Sequence, residues 1–398
     1  MSKLACPFCY HRIDGRKLWF RCTGRGSPGK PGCKPQHDAA RKEHIGIEEN
    51  VLPAFAPPAG FTLRAPDNAT CPFCGADSGV KVCPVCHTKL PATFGQGRSP
   101  LIAMVGAKRT GKTVYLKVLS HQLRKKLGRR FSADVRLTGD SQFQADGRAD
   151  FIDPAGELFP DGKLYAQTAG TRTGRREPIV FAWRQVQRRP AFSRYDTTYL
   201  SFYDTAGEDL NTEGSVGNLR YLAAADALIL LLDPFMIPQA RDHVRLPAIE
   251  QKADRAAAVD VLGRVTDNLR ATHKIGNRKN IPIPVAVAFA KIDAFFDVLG
   301  DHHPLVQRPK QSDHYDEALG QATHEHVRAL LHQWEADDID SHLTLNYKTF
   351  RYFAVSALGT EPDYDHDRVD ERGVQPFRVD EPLLWLLSRF GVVETGGR

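Results

Sequence analysis

The apolar run Leu101–Val105 passes directly into Gly106-Ala-Lys-Arg-Thr-Gly-Lys-Thr113, and a helix-forming stretch, Lys112–Leu127, follows at once. A strand that ends in GxxxxGK[ST] and reopens as a helix is the P-loop arrangement. Its glycines let the backbone curl until the N–H groups of Gly106, Ala107, Lys108, Arg109, Thr110 and Gly111 face a phosphate. The helix N-terminus adds its partial positive charge. Lys112 would reach the β- and γ-phosphates, and Thr113 would ligate Mg2+. Such a loop needs a strand end and a following helix, so it places the chain among α/β folds.

The rest of the chain agrees with that class. Short apolar runs predict strands at Ile179–Arg184, Thr198–Tyr203, Leu228–Asp233, Val285–Ala290 and Tyr352–Val355. Helical patterns fall at Leu219–Ala225, Asp254–Ala271, Tyr315–Ala336 and Pro382–Phe390. Their alternation predicts a mostly parallel central sheet with flanking helices. The Gly- and Asp-rich segment 129–177 has weak periodicity and reads as an insertion with long loops.

Three further motifs sit at predicted strand ends. Asp204-Thr-Ala-Gly207 follows Thr198–Tyr203. A carboxylate there suits Mg2+ coordination, and the Gly207 amide can approach a γ-phosphate because no side chain intervenes. Ala290-Lys-Ile-Asp293 ends Val285–Ala290. Asp293 can accept hydrogen bonds from both N1–H and the exocyclic amine of guanine, a donor pair that adenine lacks. The Lys291 stem can lie along the purine face. Ser356, Ala357 and Leu358 could offer backbone N–H groups to the guanine carbonyl.

GAKRTGKT, DTAGE, AKID and SAL, in that order, resemble the P-loop GTPases of the TRAFAC class, which includes the translation-factor and Ras-like enzymes. More narrowly, the N-terminal CPFC, LLDPF at 231–235 and the C-terminal EPLLWLL resemble the bacterial double-GTPase family. The resemblance implies a P-loop GTPase fold over 98–398, with GTP or GDP and Mg2+ as ligands. It implies hydrolysis of GTP to GDP and phosphate, and a molecular switch in a bacterial signalling or conflict system. A second GTPase or an effector would be the protein partner. Departures from the Ras-like pattern matter for catalysis. Glu208 stands where those enzymes carry a water-orienting glutamine; a carboxylate can accept from water but cannot donate to it. Lys108 and Arg109 replace two glycines, so Lys108 could itself neutralise developing charge. The switch threonine would lie in the insertion. Thr168, Thr171 and Thr173 all qualify, and Thr168 is preferred for the stretch that precedes it.

All eight cysteines fall between residues 6 and 86. Six of them form three CPxC pairs, Cys6/Cys9, Cys71/Cys74 and Cys83/Cys86, a pattern that favours zinc over disulfides in an intracellular protein. The spacing predicts one zinc ribbon, 71–97, closed by Cys71, Cys74, Cys83 and Cys86. It predicts a second module, 1–50, closed by Cys6, Cys9, Cys22 and Cys33, with His37 and His11 competing for the place of Cys33. A Pro-rich linker, 51–70, would separate them. Four-thiolate sites are closed and structural, with no position for a catalytic water.

Hydrophobic residues make up 41% of the chain and charged residues 25%, an ordinary balance for a globular protein. Residues 1–100 hold 14 Lys/Arg against 7 Asp/Glu, so they carry the whole net charge of +7. Two four-thiolate zinc sites would offset about four of those charges, which weakens any electrostatic grip on nucleic acid. No apolar run approaches the ~20 residues of a membrane span, and residues 1–9 lack the apolar core of a signal peptide. A cytoplasmic protein is therefore expected, with the zinc modules and switch segments as partner surfaces. The alternatives are a zinc-ribbon nucleic-acid-binding NTPase and a non-hydrolysing, nucleotide-dependent scaffold.

Overall fold

The computed structural model describes residues 4–46, 48–58, 66–107, 109–138, 178–189, 192–204, 216–244, 258–363, 366 and 368–396. Seven strands form the principal sheet: β1 (Leu101–Gly106), β2 (Ala133–Thr138), β3 (Ile179–Arg189), β4 (Phe192–Asp204), β5 (Ala227–Leu232), β6 (Val285–Phe289) and β7 (Phe350–Ala354). Their order is β2-β3-β4-β1-β5-β6-β7. The pairs β1–β5, β5–β6 and β6–β7 are parallel, and β2–β3–β4 is an antiparallel meander. The expected α/β class with a mostly parallel sheet and flanking helices is what the chain adopts.

The chain divides into two compact units, one built from Met1–Leu101 with Ala133–Arg148 and Thr171–Tyr203, the other from Ile102–Ser132, Ala149–Gly170 and Asp204–Arg398. In the second unit, every residue of β1, β5 and β6 is buried. That is why these strands read as unbroken apolar runs rather than alternating ones. Helices α1 (Lys112–Gln122), α2 (Val216–Ala224), α3 (Ala258–His273), α4 (Glu317–Gln333), α5 (Asp337–Asn346) and α6 (Glu381–Arg389) accompany them. Helix α4 packs on β7, and α6 on β5 and β6. The buried positions of α3, Val261, Leu262, Val265 and Leu269, recur at helical spacing and leave its other face to solvent. In α6 all of Pro382–Leu387 is buried, as an all-round apolar helix must be. The Tyr221 hydroxyl, from α2, accepts from Met104 N–H at 2.9 Å and donates to Ile102 C=O at 3.2 Å, so it satisfies two buried backbone groups of β1.

The helix predicted over Lys112–Leu127 is α-helical only to Gln122. Leu123–Leu127 forms a π turn, and Gly128–Arg130 resumes the α pattern. Strand β2 lies within the stretch predicted to be an insertion. Helix α5 was not predicted.

The first unit holds short strands. Trp19–Arg21 pairs antiparallel with both Ala54–Phe55 and Lys81–Val82, so the expected linker and both expected modules contribute to one three-stranded sheet. One core joins Cys6, Phe8, Cys9, Ile13, Leu18, Cys83, Cys86, Leu90 and Phe94 to Val180 of β3 and Tyr199 of β4. A second gathers Phe20, Cys22, Phe55, Ala69, Cys71, Cys74 and Ala76.

Candidate nucleotide site and metal clusters

The loop after β1 is shaped by two backbone demands. A Cβ on Gly106 would lie 2.5 Å from the Leu231 carbonyl oxygen and 3.0 Å from Thr110 Oγ1, so the close approach of β1 and β5 excludes a side chain. Gly111 opens α1 in the left-handed region, φ +81°. Thr110 is buried and its hydroxyl donates to Ala107 C=O at 3.0 Å. Lys112 is also buried, and its ammonium donates to the carbonyls of Gly106 at 2.8 Å and Ala107 at 2.6 Å. The ammonium is thus held over the loop itself, where a phosphate would compete for it. Arg109 is exposed with φ 66°. The loop stands at the carboxyl end of β1, where the strand order reverses, and open α/β sheets bind ligands at that point. Asp204 is the last residue of β4, so this aspartate does terminate a strand. Lys108, Thr168, Thr171, Thr173, Gly207 and Glu208 lie outside the described residues.

The ends of β5, β6 and β7 bring together Asp233, Lys291, Asp293 and Ser356. Ile292 N–H donates to Val355 C=O at 3.2 Å, and Val355 N–H to Phe289 C=O at 2.8 Å, which ties the two motif-bearing loops to one another. Asp293 Oδ1 is buried without a hydrogen-bond partner. Burial pushes the Asp293 carboxyl pKa up, a hydrogen bond from Ser356 acts against this, and the nearby Lys291 charge adds a smaller opposing effect. Ser356 is buried, and its Oγ accepts from Gly359 N–H at 2.8 Å. Ala357 and Leu358 are half-buried beside it. A buried carboxylate oxygen lacking a donor is costly, and a ligand presenting an N–H pair would relieve it. The residues therefore fit a guanine base. Sequence reasoning did not single out Asp233 for this site. It is buried, and its carboxylate pairs with Lys291 Nζ at 2.9 Å.

The eight cysteines form two clusters, but not in the expected pairing. One is Cys6, Cys9, Cys83 and Cys86; the other is Cys22, Cys33, Cys71 and Cys74. Within each, all four Sγ atoms lie within 4.8 Å of one another. Each cluster takes two ligands from either side of the 51–70 segment, so the sequential assignment is corrected to an interleaved one. The cause is that CPxC spacing shapes only a local turn. The pairing of turns is set by the three-stranded sheet, which draws Trp19–Arg21 against Lys81–Val82. The three CPxC turns repeat one geometry: the residue after the second cysteine, Tyr10, Gly75 or His87, has positive φ and donates its N–H to the first cysteine's carbonyl at 2.9–3.0 Å. The second cluster closes with Cys33; His37 is exposed, and His11 Nδ1 instead lies 3.1 Å from Cys9 C=O. Sulfur separations in the first cluster, 3.9 Å for Cys6–Cys86 and 3.8 Å for Cys9–Cys83, match the ~3.8 Å edge of a tetrahedron with ~2.3 Å Zn–S arms; in the second they are 3.9 Å for Cys33–Cys71 and a shorter 3.4 Å for Cys22–Cys74. Both donor sets fit Zn2+.

Three residues of the basic and aromatic stretch Arg12–Arg21 are engaged within the protein. Phe20 belongs to the second core, Trp19 stacks on His87 at 5.2 Å, and Arg21 donates to His87 C=O. Among the described residues no helix is long and apolar enough to cross a membrane.

No protein-family model matches the chain. It is 29% identical over 423 aligned positions to a Mycolicibacterium smegmatis protein whose provisional name is ESX-1 scaffolding and assembly protein SaeC. That alignment covers 99% of this chain and all of the relative. Among solved structures it is similar to the signal recognition particle receptor SRb-GTP/SRX complex of Chaetomium thermophilum, at TM-score 0.29 and 13% identity, covering 66% of this chain and 93% of the other. It is also similar to the small GTPase Arl6 (BBS3) of Trypanosoma brucei with bound GppNp, at TM-score 0.29 and 13% identity, covering 74% and 98%. At these values the nature of the site rests on the chain's own sheet and loops.

Proposed function

We propose that the chain is a guanine-nucleotide-dependent switch that takes part in assembling a larger protein complex. The observation that carries the nucleotide reading is Asp293 Oδ1, a buried acceptor without a partner on a carboxyl that Ser356, just past the end of β7, also hydrogen-bonds. The glycine loop after β1 and the Lys112 ammonium poised over its carbonyls support it. In this reading the loop from Gly106 to Thr113 takes the phosphates, Asp293 takes the base edge, Lys291 covers the ring, and Ser356–Leu358 meet the guanine carbonyl. Thr113 and Asp204 would hold Mg2+, which neutralises charge on the phosphates. For hydrolysis, Glu208 would orient water, with Thr168 and Lys108 assisting Lys112. The nucleotide domain of this reading keeps the expected limits 98–398, and the expected 1–50 module, 51–70 linker and 71–97 ribbon together make up the cysteine-rich region before it.

The assembly half of the proposal is supported by the relative's name, since that protein is called a scaffolding and assembly protein. The same name favours a second reading, a scaffold that binds nucleotide without turning it over. The structural zinc clusters, each closed by four thiolates, would then serve to present a protein-docking surface. One experiment separates the readings: binding of GTP and ATP, and release of phosphate, by purified zinc-loaded protein. GTP preferred over ATP with steady phosphate release supports the switch; GTP bound tightly without release supports the scaffold. A preference for ATP overturns the guanine assignment, and Lys112→Ala with undiminished binding and turnover overturns the site.

A further inference from the structure

Lys291 has a backbone conformation that a non-glycine residue seldom takes, φ 55° and ψ 31°, immediately before the turn Ile292–Phe295 that carries Asp293. A left-handed lysine persists only where its surroundings hold it there. Two interactions reach it from the end of β5, and a third ties them together. Asp233, 2% exposed, pairs through Oδ2 with Lys291 Nζ at 2.9 Å. Through Oδ1 it accepts from Phe235 N–H at 2.9 Å, which caps the turn Pro234–Met236. The Phe235 ring so placed lies 5.3 Å from the Lys291 ammonium and 5.9 Å from the Phe295 ring. One buried carboxylate therefore fixes both the charge and the aromatic surface against which Lys291 rests.

We propose that Asp233 is a positioning residue for base recognition: it holds Lys291, and with it the Asp293 turn, in the conformation that receives guanine. This deepens, and rests on, the guanine-site reading above. A lysine stem is flexible, and a ring that had to order it on binding would lose affinity; pinning the ammonium beforehand removes that cost. Asp233 touches no part of the nucleotide in this scheme and acts through Lys291, by the ion pair itself and by the Phe235 ring it places against the ammonium. That gives it a signature a merely structural aspartate lacks. Its effect should fall on the base and not on the phosphates, and should vanish once Lys291 has no charge to hold.

The test is fluorescence titration of zinc-loaded protein with mant-GDP, and displacement of mant-GDP by pyrophosphate, which occupies only the phosphate loop. Asp233→Asn keeps an acceptor for Phe235 N–H but loses the charge. It should weaken mant-GDP about tenfold, as loss of one charge-assisted, partly buried contact does, while the pyrophosphate constant stays within about twofold. In a Lys291→Met background the same substitution should change mant-GDP binding by less than about twofold. Should Asp233→Asn not fold, Asp233→Glu, which retains and displaces the charge, should show a smaller loss of the same base-selective kind. Unaltered mant-GDP binding in the aspartate variants, equal loss for pyrophosphate, or undiminished loss in the Lys291→Met background overturns the proposal while leaving the guanine site standing. Failure of the unaltered chain to bind mant-GDP overturns the guanine site and this proposal together.

Discussion

The cysteine-rich region before residue 100 and the sheet of the second unit both hold buried cores, yet they reach that state by different routes. Among the described residues before 100 no strand exceeds three residues, and the two cores are built around cysteines. In the second unit β1, β5 and β6 are five or six residues long and wholly buried, and helices close over them. Strands of two or three residues bury too little apolar surface to offset chain entropy, so zinc held by the two four-cysteine clusters would contribute to folding outright. The sheet has no such need. The two regions should therefore differ in their response to chelation, and in how a core truncation is felt once zinc is removed.

The largest expected effect is loss of zinc. A strong chelator should unfold the cysteine-rich region, because apparent zinc-binding energies in such modules are on the order of 10 kcal/mol or more. The second unit should keep its cooperative transition, which circular dichroism and hydrogen exchange would resolve. Interleaving sharpens the test. Cys9→Ser with Cys86→Ser damages a single cluster and should cost one zinc per chain; Cys9→Ser with Cys33→Ser damages both and should cost two. Metal analysis giving the reverse would restore sequential pairing.

The two regions also differed in how far their sequence could be read. Runs such as Leu228–Leu232 and Val285–Phe289 are apolar over the full strand length, so a local pattern carried the information and strands appeared where expected. Strand β2 was missed because its residues are half-buried and exposed by turns, with no apolar run to mark it. Helix α5 was missed because only Ile339 and Leu343 are buried on it, among three aspartates in its first turn. The cysteines announced metal but not partners. Which CPxC faces which depends on pairings between residues about sixty apart, and spacing holds no record of those. At the nucleotide site the motif residues were legible one by one, while the Asp233–Lys291 pair was not, since it joins two strand ends 58 positions apart.

Core truncation comes next in size. Leu231 is fully buried in β5, and Leu231→Ala should cost ~2–5 kcal/mol in urea unfolding, whether or not zinc is present. Leu18 is equally buried, but in the core shared with Cys6 and Cys86. Leu18→Ala should cost a similar amount in zinc-loaded protein and almost nothing after chelation, because its surroundings have already unfolded. A chelator-independent penalty at Leu18 would break the contrast between the regions.

The smallest effect concerns a place where the well-packed unit forgoes stability. Asp293 Oδ1 is buried without a donor, and burial raises the carboxyl pKa. In nucleotide-free protein, Asp293→Ala should remove that uncompensated oxygen and raise stability by about 1 kcal/mol at neutral pH. The sign with pH follows from the raised value. An unfolded aspartate titrates near 3.9, whereas the folded one holds its proton to higher pH. Its contribution to stability is therefore fully present below ~4 and is lost as pH rises through the folded pKa. The gain from Asp293→Ala should accordingly shrink as pH falls through that window and vanish below it. Guanine binding should show the converse dependence, because the base needs the carboxylate: mant-GDP affinity should fall as pH drops through the same window. Melting temperatures of both proteins from pH 4 to 7, with and without mant-GDP, test the pair of expectations. If Asp293→Ala destabilises the nucleotide-free protein at pH 7, Asp293 is a structural residue of the turn and not an acceptor held open for a base.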